Sequence, residues 1–201
     1  MTDQNSMQKL VFTIDEIALP EFKEWLFCPG MLFQAAGKWW GNKGLRDRRH
    51  EGLDLLLYKD GEERIRHIDK SFKIRVMSDG VVVGIIPDFL GKSIIVEHPS
   101  LIDNSYNILT IYGHTAPCDN IHVGLALQGG DIIASVAGPN RSSTAMKPHL
   151  HITVARTNMA ICYERLNWEI IGTSEMLTLL DPLMFIGSPY RILGDDDPAD
   201  R

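Results

Sequence analysis

The chain is short of cysteine. Only Cys28, Cys118 and Cys162 occur in 201 residues, and they are widely scattered. No Cys-x-x-Cys is present, which excludes zinc-finger and thioredoxin chemistry, and an odd, sparse set excludes a disulfide framework. Buried or idle thiols are the expectation, because free cysteine behaves as a small apolar residue. Long apolar runs are also missing. The longest, Val81 to Ile86, falls far below the roughly 20 residues a spanning helix needs, so no membrane insertion is expected. The first thirty residues lack a positive stretch followed by an apolar one. Taken literally, this makes the chain cytoplasmic. Positive charge is in deficit, with a formal net charge of −6, which leaves no basic footprint for nucleic acid. The one basic cluster, Arg46, Arg48 and Arg49, reads as a solvated loop, with substrate contact the lesser option. No internal repeat is found.

What is present is an ordinary globular composition, 44% hydrophobic and 23% charged. The length suits one domain with a sizeable core. Lys9 to Ile14 reads as a strand, and residues 20–27 as a short helix with Pro20 in its first turn. Gly37 to Gly44 reads as a loop carrying Trp39 and Trp40. From Leu53 onward, short apolar runs alternate with turn residues. The expected strands are 53–58, 72–77, 80–86, 93–98, 108–112, 131–137 and 149–156. Ser78-Asp79-Gly80 reads as a hairpin turn, and 128–131 and 138–140 as further turns. Residues 167–171 are expected to add a strand and 175–180 a helical turn. Many short strands and few helices indicate an antiparallel, mostly β core.

The chemistry-bearing residues fall in three separated segments: Arg49-His50-Glu51-Gly52-Leu53-Asp54, Tyr112-Gly113-His114 and Pro148-His149-Leu150-His151. A His-x-His pair in a strand sends both imidazoles to one face of the sheet. His50 and Asp54 are four apart, and a bend at Gly52 would let both face one metal. Four histidines and one aspartate suffice for a three-ligand zinc site with two histidines left for chemistry. Taken alone, each motif has a plain reading as satisfied polar residues on a sheet surface.

Together with Ser78 to Val82, Ile94 to His98 and Val123 to Ala134, these motifs closely resemble the lysostaphin/LytM-type zinc metallopeptidases in order and approximate spacing. The resemblance covers about residues 46–187, closing on Asp181-Pro182-Leu183. It implies a compact twisted antiparallel sheet of duplicated-hybrid-motif type, with a groove on one face and few short helices. It implies an endopeptidase (hydrolase) acting on a peptide substrate, bacterial peptidoglycan stems or cross-bridges in the cell wall. Carried over residue by residue, His50, Asp54 and His151 are the ligands of one zinc per chain, and His114 and His149 are catalytic. All five positions are intact. His149 shares a strand face with His151, so the general base is assigned to it. His114 would then steady the oxyanion or serve the leaving amine. The reverse division between these two remains open.

The domain expectation is an N-terminal extension packed on the core over 1–45, the zinc metallopeptidase domain over 46–187 and an acidic, disordered tail over 188–201. The lesser option for the extension is a plug in the groove. Three features depart from the family pattern. Lys147 stands where a small residue is usual, an insertion lies between Asp54 and Phe72, and no export signal is seen although the family is mostly exported. Trp39 and Trp40 are weighed as an aromatic assisting the site or, preferentially, as loop packing. His67, His98 and His122 are expected at the surface without a metal role. Two other classes compete. A non-haem iron oxygenase would also use two histidines and a carboxylate, but its cupin version wants a Glu shortly after His-x-His, and residues 153–157 hold none. The other is a zinc-containing binding or regulatory module that does not cut, or a peptidase acting on a non-cell-wall peptide.

Overall fold

Period-two alternation in the β-branched runs sets the architecture. The computed structural model describes residues 19, 21–103, 106–138, 146–157, 161–173 and 175–194. In chain order the strands are β1 (Phe22–Phe27), β2 (Leu53–Leu55), β3 (Leu57–Asp60), β4 (Ile65–His67), β5 (Lys73–Arg75), β6 (Gly80–Pro87) and β7 (Lys92–Asp103). There follow β8 (Tyr106–Pro117), β9 (Ala126–Leu127), β10 (Ile132–Val136), β11 (Leu150–Thr157), a short helix α1 (Trp168–Thr173), β12 (Thr178–Leu180) and β13 (Tyr190–Ile192). A nine-stranded sheet runs β12-β11-β8-β7-β6-β9, with β2 beside β11 and with β10 bridging β8 to β5. A four-stranded sheet runs β13-β1-β3-β4. The protein is mostly β and antiparallel, as the sequence indicates; β1 and β13 run parallel.

The long strands divide their residues between two faces. On one, Ile94 and Val96, Ile108 and Tyr112, and Leu150, Ile152 and Val154 enter the main core. On the other, Ile95, Leu109, Ile111 and Ala155 form a second apolar cluster, covered by Ile161, Leu166, Ile171 and Leu177. Burying each Val, Leu or Ile contributes about 1.5–3 kcal/mol, so both faces stabilise the sheet.

Several sequence expectations are corrected. The helix expected over 20–27 is not found among its described residues, 21–27. Eight residues are too few for a stable isolated helix, and β1 finds partners on both sides, β3 and β13. Trp25 and Phe27 are fully buried there, so β1 joins the core. Ser78 to Gly80 does not close a hairpin, because β5 pairs with β10 and β6 with β7. Residues 167–171 start a helix rather than a strand. The Asn167 side chain accepts from the backbone N–H of Ile170 at 2.9 Å, a helix-start bond. Residues 175–180 instead supply β12, registered against Val154 to Arg156.

The tail is ordered at its start, where β13 pairs with β1 and Leu193 is buried. The rest of that tail, the 9–14 strand and most of the 138–140 turn lie outside the described residues. The insertion after Asp54 builds β3 and β4 of the small sheet and takes no part in lining the groove. Its Asp60 ties the hairpin by accepting from Arg64 and Arg66, each at 2.9 Å. No helix among the described residues is long and apolar enough to cross a membrane.

Candidate metal centre

Strand register brings the first and last motifs together. His151 lies directly opposite Asp54 of β2 on one side and Gly113 of β8 on the other. Two glycines give it room. A Cβ at Gly52 would sit 2.1 Å from the Ile152 carbonyl oxygen and 2.8 Å from His151 Nε2, and one at Gly113 would sit 3.2 Å from His151 Cβ. His50 is clamped from the other side by residues 32–35. Its backbone N–H donates to Ala35 O, its carbonyl accepts from Gln34 N, and its ring Nδ1 donates to Leu32 O at 2.9 Å.

The three side chains converge. Asp54 Oδ1 is 3.1 Å from His50 Nε2 and 2.8 Å from His151 Nδ1, and the two nitrogens are 3.1 Å apart. All three residues are buried. They form a group that could hold a metal ion. Tetrahedral zinc with ligands at about 2.0–2.1 Å would space them by about 3.3 Å, close to what is found. The second nitrogen of each ring is engaged elsewhere, His50 Nδ1 with Leu32 O and His151 Nε2 with Thr153 Oγ1 at 2.9 Å. A carbonyl can only accept, so Leu32 fixes His50 with its Nε2 lone pair toward the cluster.

Protonation favours ligation as well. Burial pushes His151 down to about 4, although the bond and the charge of Asp54 pull the other way. Burial would raise Asp54, yet the charges of His50 and His149 and the bonds from His151 and His50 hold it well below the usual carboxylate range. The neutral imidazole of His151 and the ionised carboxylate of Asp54 are the forms that bind metal.

The two remaining histidines flank the cluster. His149 precedes β11 and is 1% exposed, with Nε2 3.7 Å from Asp54 Oδ1. Its Nδ1 donates to the Lys147 carbonyl at 2.9 Å, which leaves the Nε2 lone pair facing the cluster. Burial pushes its pKa down to about 4 against the pull of Asp54. Lys147 thus serves the site through its backbone, while its side chain is exposed.

His114 reaches the groove by an irregularity. Simple alternation would place it with Tyr112 on the core face. A bulge falls here, since Lys92 and Ile94 register with Thr115 and Tyr112, and His114 has φ 60°. Bulges re-aim side chains, and His114 turns to within 4.7 Å of the His149 ring, centroid to centroid.

Sequence reasoning missed Asp88, in the tight connection from β6 to β7. Its Oδ2 accepts from the His114 backbone N–H and from Ser93 Oγ, both at 2.6 Å, and its Oδ1 accepts from His114 Nδ1 at 3.2 Å. Burial would raise this carboxyl; the bond and charge of His114, with Ser93, outweigh that and hold it low. The Asp-x-x-Gly pattern over Asp88 to Gly91, an aspartate capping its own turn, was the available signal. Also missed was Trp168 of α1, whose ring lies 5.2 Å from that of His151.

The preference for loop packing at Trp39 and the solvated reading of Arg46 are both corrected. Trp39 Nε1 donates to Asp54 Oδ2 at 2.6 Å, and the Arg46 guanidinium lies 3.6 Å from the same oxygen and 4.3 Å over the Trp40 ring. His98 is corrected too, being fully buried between the Asp79 carbonyl and Thr110 Oγ1. His67 and His122 are exposed and outside the cluster, Cys28 is buried, and Cys162 is exposed.

The groove over this cluster encloses about 370 Å³. Lys38, Trp40 and Arg46 line one wall, and Phe89, Met146 and Trp168 others.

No protein-family model matches the chain, and no curated protein matches it either. Solved structures do. The catalytic domain of the antimicrobial peptidase lysostaphin from Staphylococcus simulans is similar at 20% identity and a TM-score of 0.43, over 73% of this chain and 83% of that one. LytU is similar at 18% identity and a TM-score of 0.44, over 85% of this chain and 87% of that one. A putative peptidase M23 from Pseudomonas aeruginosa is similar at 22% identity and a TM-score of 0.37, over 52% of this chain and 37% of that one. The solved structures this chain is similar to include that of the peptidase lysostaphin.

Proposed function

We propose that this chain is a zinc metalloendopeptidase of the lysostaphin/LytM type that cleaves peptide bonds of bacterial peptidoglycan stems or cross-bridges. The carrying observation is the meeting of His50 Nε2, Asp54 Oδ1 and His151 Nδ1 within 3.1 Å of one another, with two further histidines at the same groove. Zinc held by these three atoms would supply a water of pKa about 7 and a Lewis acid for the scissile carbonyl. The residues do the rest. His149 takes the proton of the attacking water at Nε2, the nitrogen that its bond to Lys147 O leaves free. Burial keeps its imidazole neutral near neutral pH, so that the Nε2 lone pair is available. His114, held through Nδ1 by Asp88, presents Nε2 to the developing oxyanion or the leaving amine. Arg46 and Lys38 add positive charge to the wall where the peptide would lie.

The presence of both flanking histidines, each with one nitrogen anchored, disfavours a module that binds zinc without cutting. The test is digestion of purified peptidoglycan by the zinc-loaded protein. New free amino groups without new reducing sugars are expected. Chelator should abolish the reaction and zinc restore it. Release of reducing ends, or no release of either kind, would overturn the reading.

A further inference from the structure

The two oxygens of Asp54 have separate partners. Oδ1 faces His50 Nε2 and His151 Nδ1. Oδ2 points away from that cluster and accepts from Trp39 Nε1 at 2.6 Å, with Arg46 beside it at 3.6 Å. Trp39 also sets its ring edge-on to His149, with centroids 5.0 Å apart and planes 89° apart. One indole therefore touches both a carboxylate of the cluster and the neighbouring imidazole.

The loop bearing Trp39 is built to hold it there. Gly37 and Leu45 bridge, Lys38 N–H donates to Gly44 O, and Arg46 N–H donates to Ala36 O. The Arg46 side chain laces the base of the loop, its Nε donating to Gly37 O and its Nη2 to Gly30 O at 2.9 Å. Gly30 permits the close approach, since a Cβ there would lie 2.7 Å from Trp39 N.

A free carboxylate can bind a metal through one oxygen or through both. Indole N–H is a donor with no acceptor capacity, and a short bond to an ionised oxygen is among the stronger hydrogen bonds. We propose that Trp39 is a positioning residue of the metal centre: its N–H holds Asp54 Oδ2, so that the carboxylate presents Oδ1 alone to the metal. The proposal rests on the metal-centre reading above. Single-oxygen ligation keeps one coordination position open for water and substrate. Arg46 fixes the loop and reinforces the same oxygen by its charge.

The test uses the full chain and compares wild type with Trp39→Phe, which keeps an aromatic ring and removes the donor. Zinc affinity is measured by competition with a chromogenic chelator. Loss of an outer partner of a ligand typically weakens metal binding about 10- to 100-fold, and that loss is expected. Cobalt-substituted protein should show its visible absorption weaken in the variant, as four-coordinate metal gains the second carboxylate oxygen. Leu45→Ala, altered on the same loop at an exposed side chain away from Asp54, should retain wild-type affinity. Equal losses in both variants would assign the effect to loop packing and overturn the proposal, as would unchanged affinity and spectrum in Trp39→Phe. Should Trp39→Phe fail to fold, the wild type still decides. In the zinc-loaded protein the Trp39 indole proton should exchange slowly with solvent, and rapid exchange overturns the proposal. Failure of the wild type itself to bind zinc would sink the metal-centre reading, and this inference with it.

Discussion

β11 presents two unlike faces. Leu150, Ile152 and Val154 enter the main core, whereas His151, Thr153 and Ala155 face the groove side. Residues one position apart therefore carry different burdens. The first set supplies apolar burial; the second supplies a nitrogen of the candidate metal centre, the hydroxyl bonded to its ring and a contact for the covering segment. The same division runs through β8, where Tyr112 enters the core and the bulge that follows turns His114 to the groove. The lesson is that stability and chemistry can be perturbed separately in one strand.

The largest expected effect lies on the groove side. His149→Ala should lower the rate of peptide cleavage about 100- to 10,000-fold, the usual worth of a positioned acid–base group, while keeping one zinc per chain by elemental analysis. His151→Ala should lose most of the zinc. Equal zinc content in the two variants would erase the assigned difference between ligand and base.

Ile152→Ala probes the other face. Ile152 is 1% exposed and lies in the main core, so truncation should cost about 2–5 kcal/mol of unfolding free energy. Activity per folded, zinc-loaded molecule should stay near wild type. A collapse of zinc affinity at full folding would show that the two faces are not separable.

Much of this was legible in the sequence, for a physical reason. The residues of the candidate site were legible because His-x-His and His-x3-Asp are short, local patterns, read through their resemblance to a family's motifs. Strands β6, β7, β8, β10 and β11 were legible because β-branched alternation is also local. The rest depends on partners distant in sequence. β1 reads as a helix because its strand character comes from β3 and β13. Trp39 reads as loop packing because nothing near it in sequence marks Asp54 as its acceptor. His98 reads as a surface residue because the acceptor and hydroxyl that satisfy it come from residues 79 and 110. Asp88 was missed because its role is defined by a bulge 26 residues away.

Asp88→Asn sharpens the comparison within the groove face. An amide at this position cannot accept from the His114 backbone, His114 Nδ1 and Ser93 Oγ with both atoms. His114 would lose its fixed tautomer without any change at the ligand cluster. The expected result is about a 10- to 100-fold fall in kcat, similar to other losses of an orienting partner, with zinc affinity kept. A parallel loss of zinc would place Asp88 with the ligands rather than with His114.

The smallest effect concerns a titratable group on the core face. Burial lowers the pKa of His98, against the opposing bond to the Asp79 carbonyl and the charge of Glu97. Its folded pKa therefore lies below the unfolded value of about 6.5. Between those two values the unfolded chain binds more protons than the folded one, so stability rises with pH. The contribution of His98 is complete above about pH 6.5 and is lost as pH falls toward the folded pKa, with a slope of at most about 1.4 kcal/mol per pH unit. His149 and His151, both lowered to about 4 by burial, act in the same direction in metal-free protein. His98→Gln keeps a side-chain donor and acceptor for Asp79 O and Thr110 Oγ1 and removes the titration. Urea unfolding of metal-free wild type and variant, at neutral pH and near pH 5, separates the terms. The variant should be less stable at neutral pH, where its replacement bonds are imperfect, and should lose less stability on acidification. An equal acid loss in both would mean that the groove-face histidines alone set the acid sensitivity of this fold.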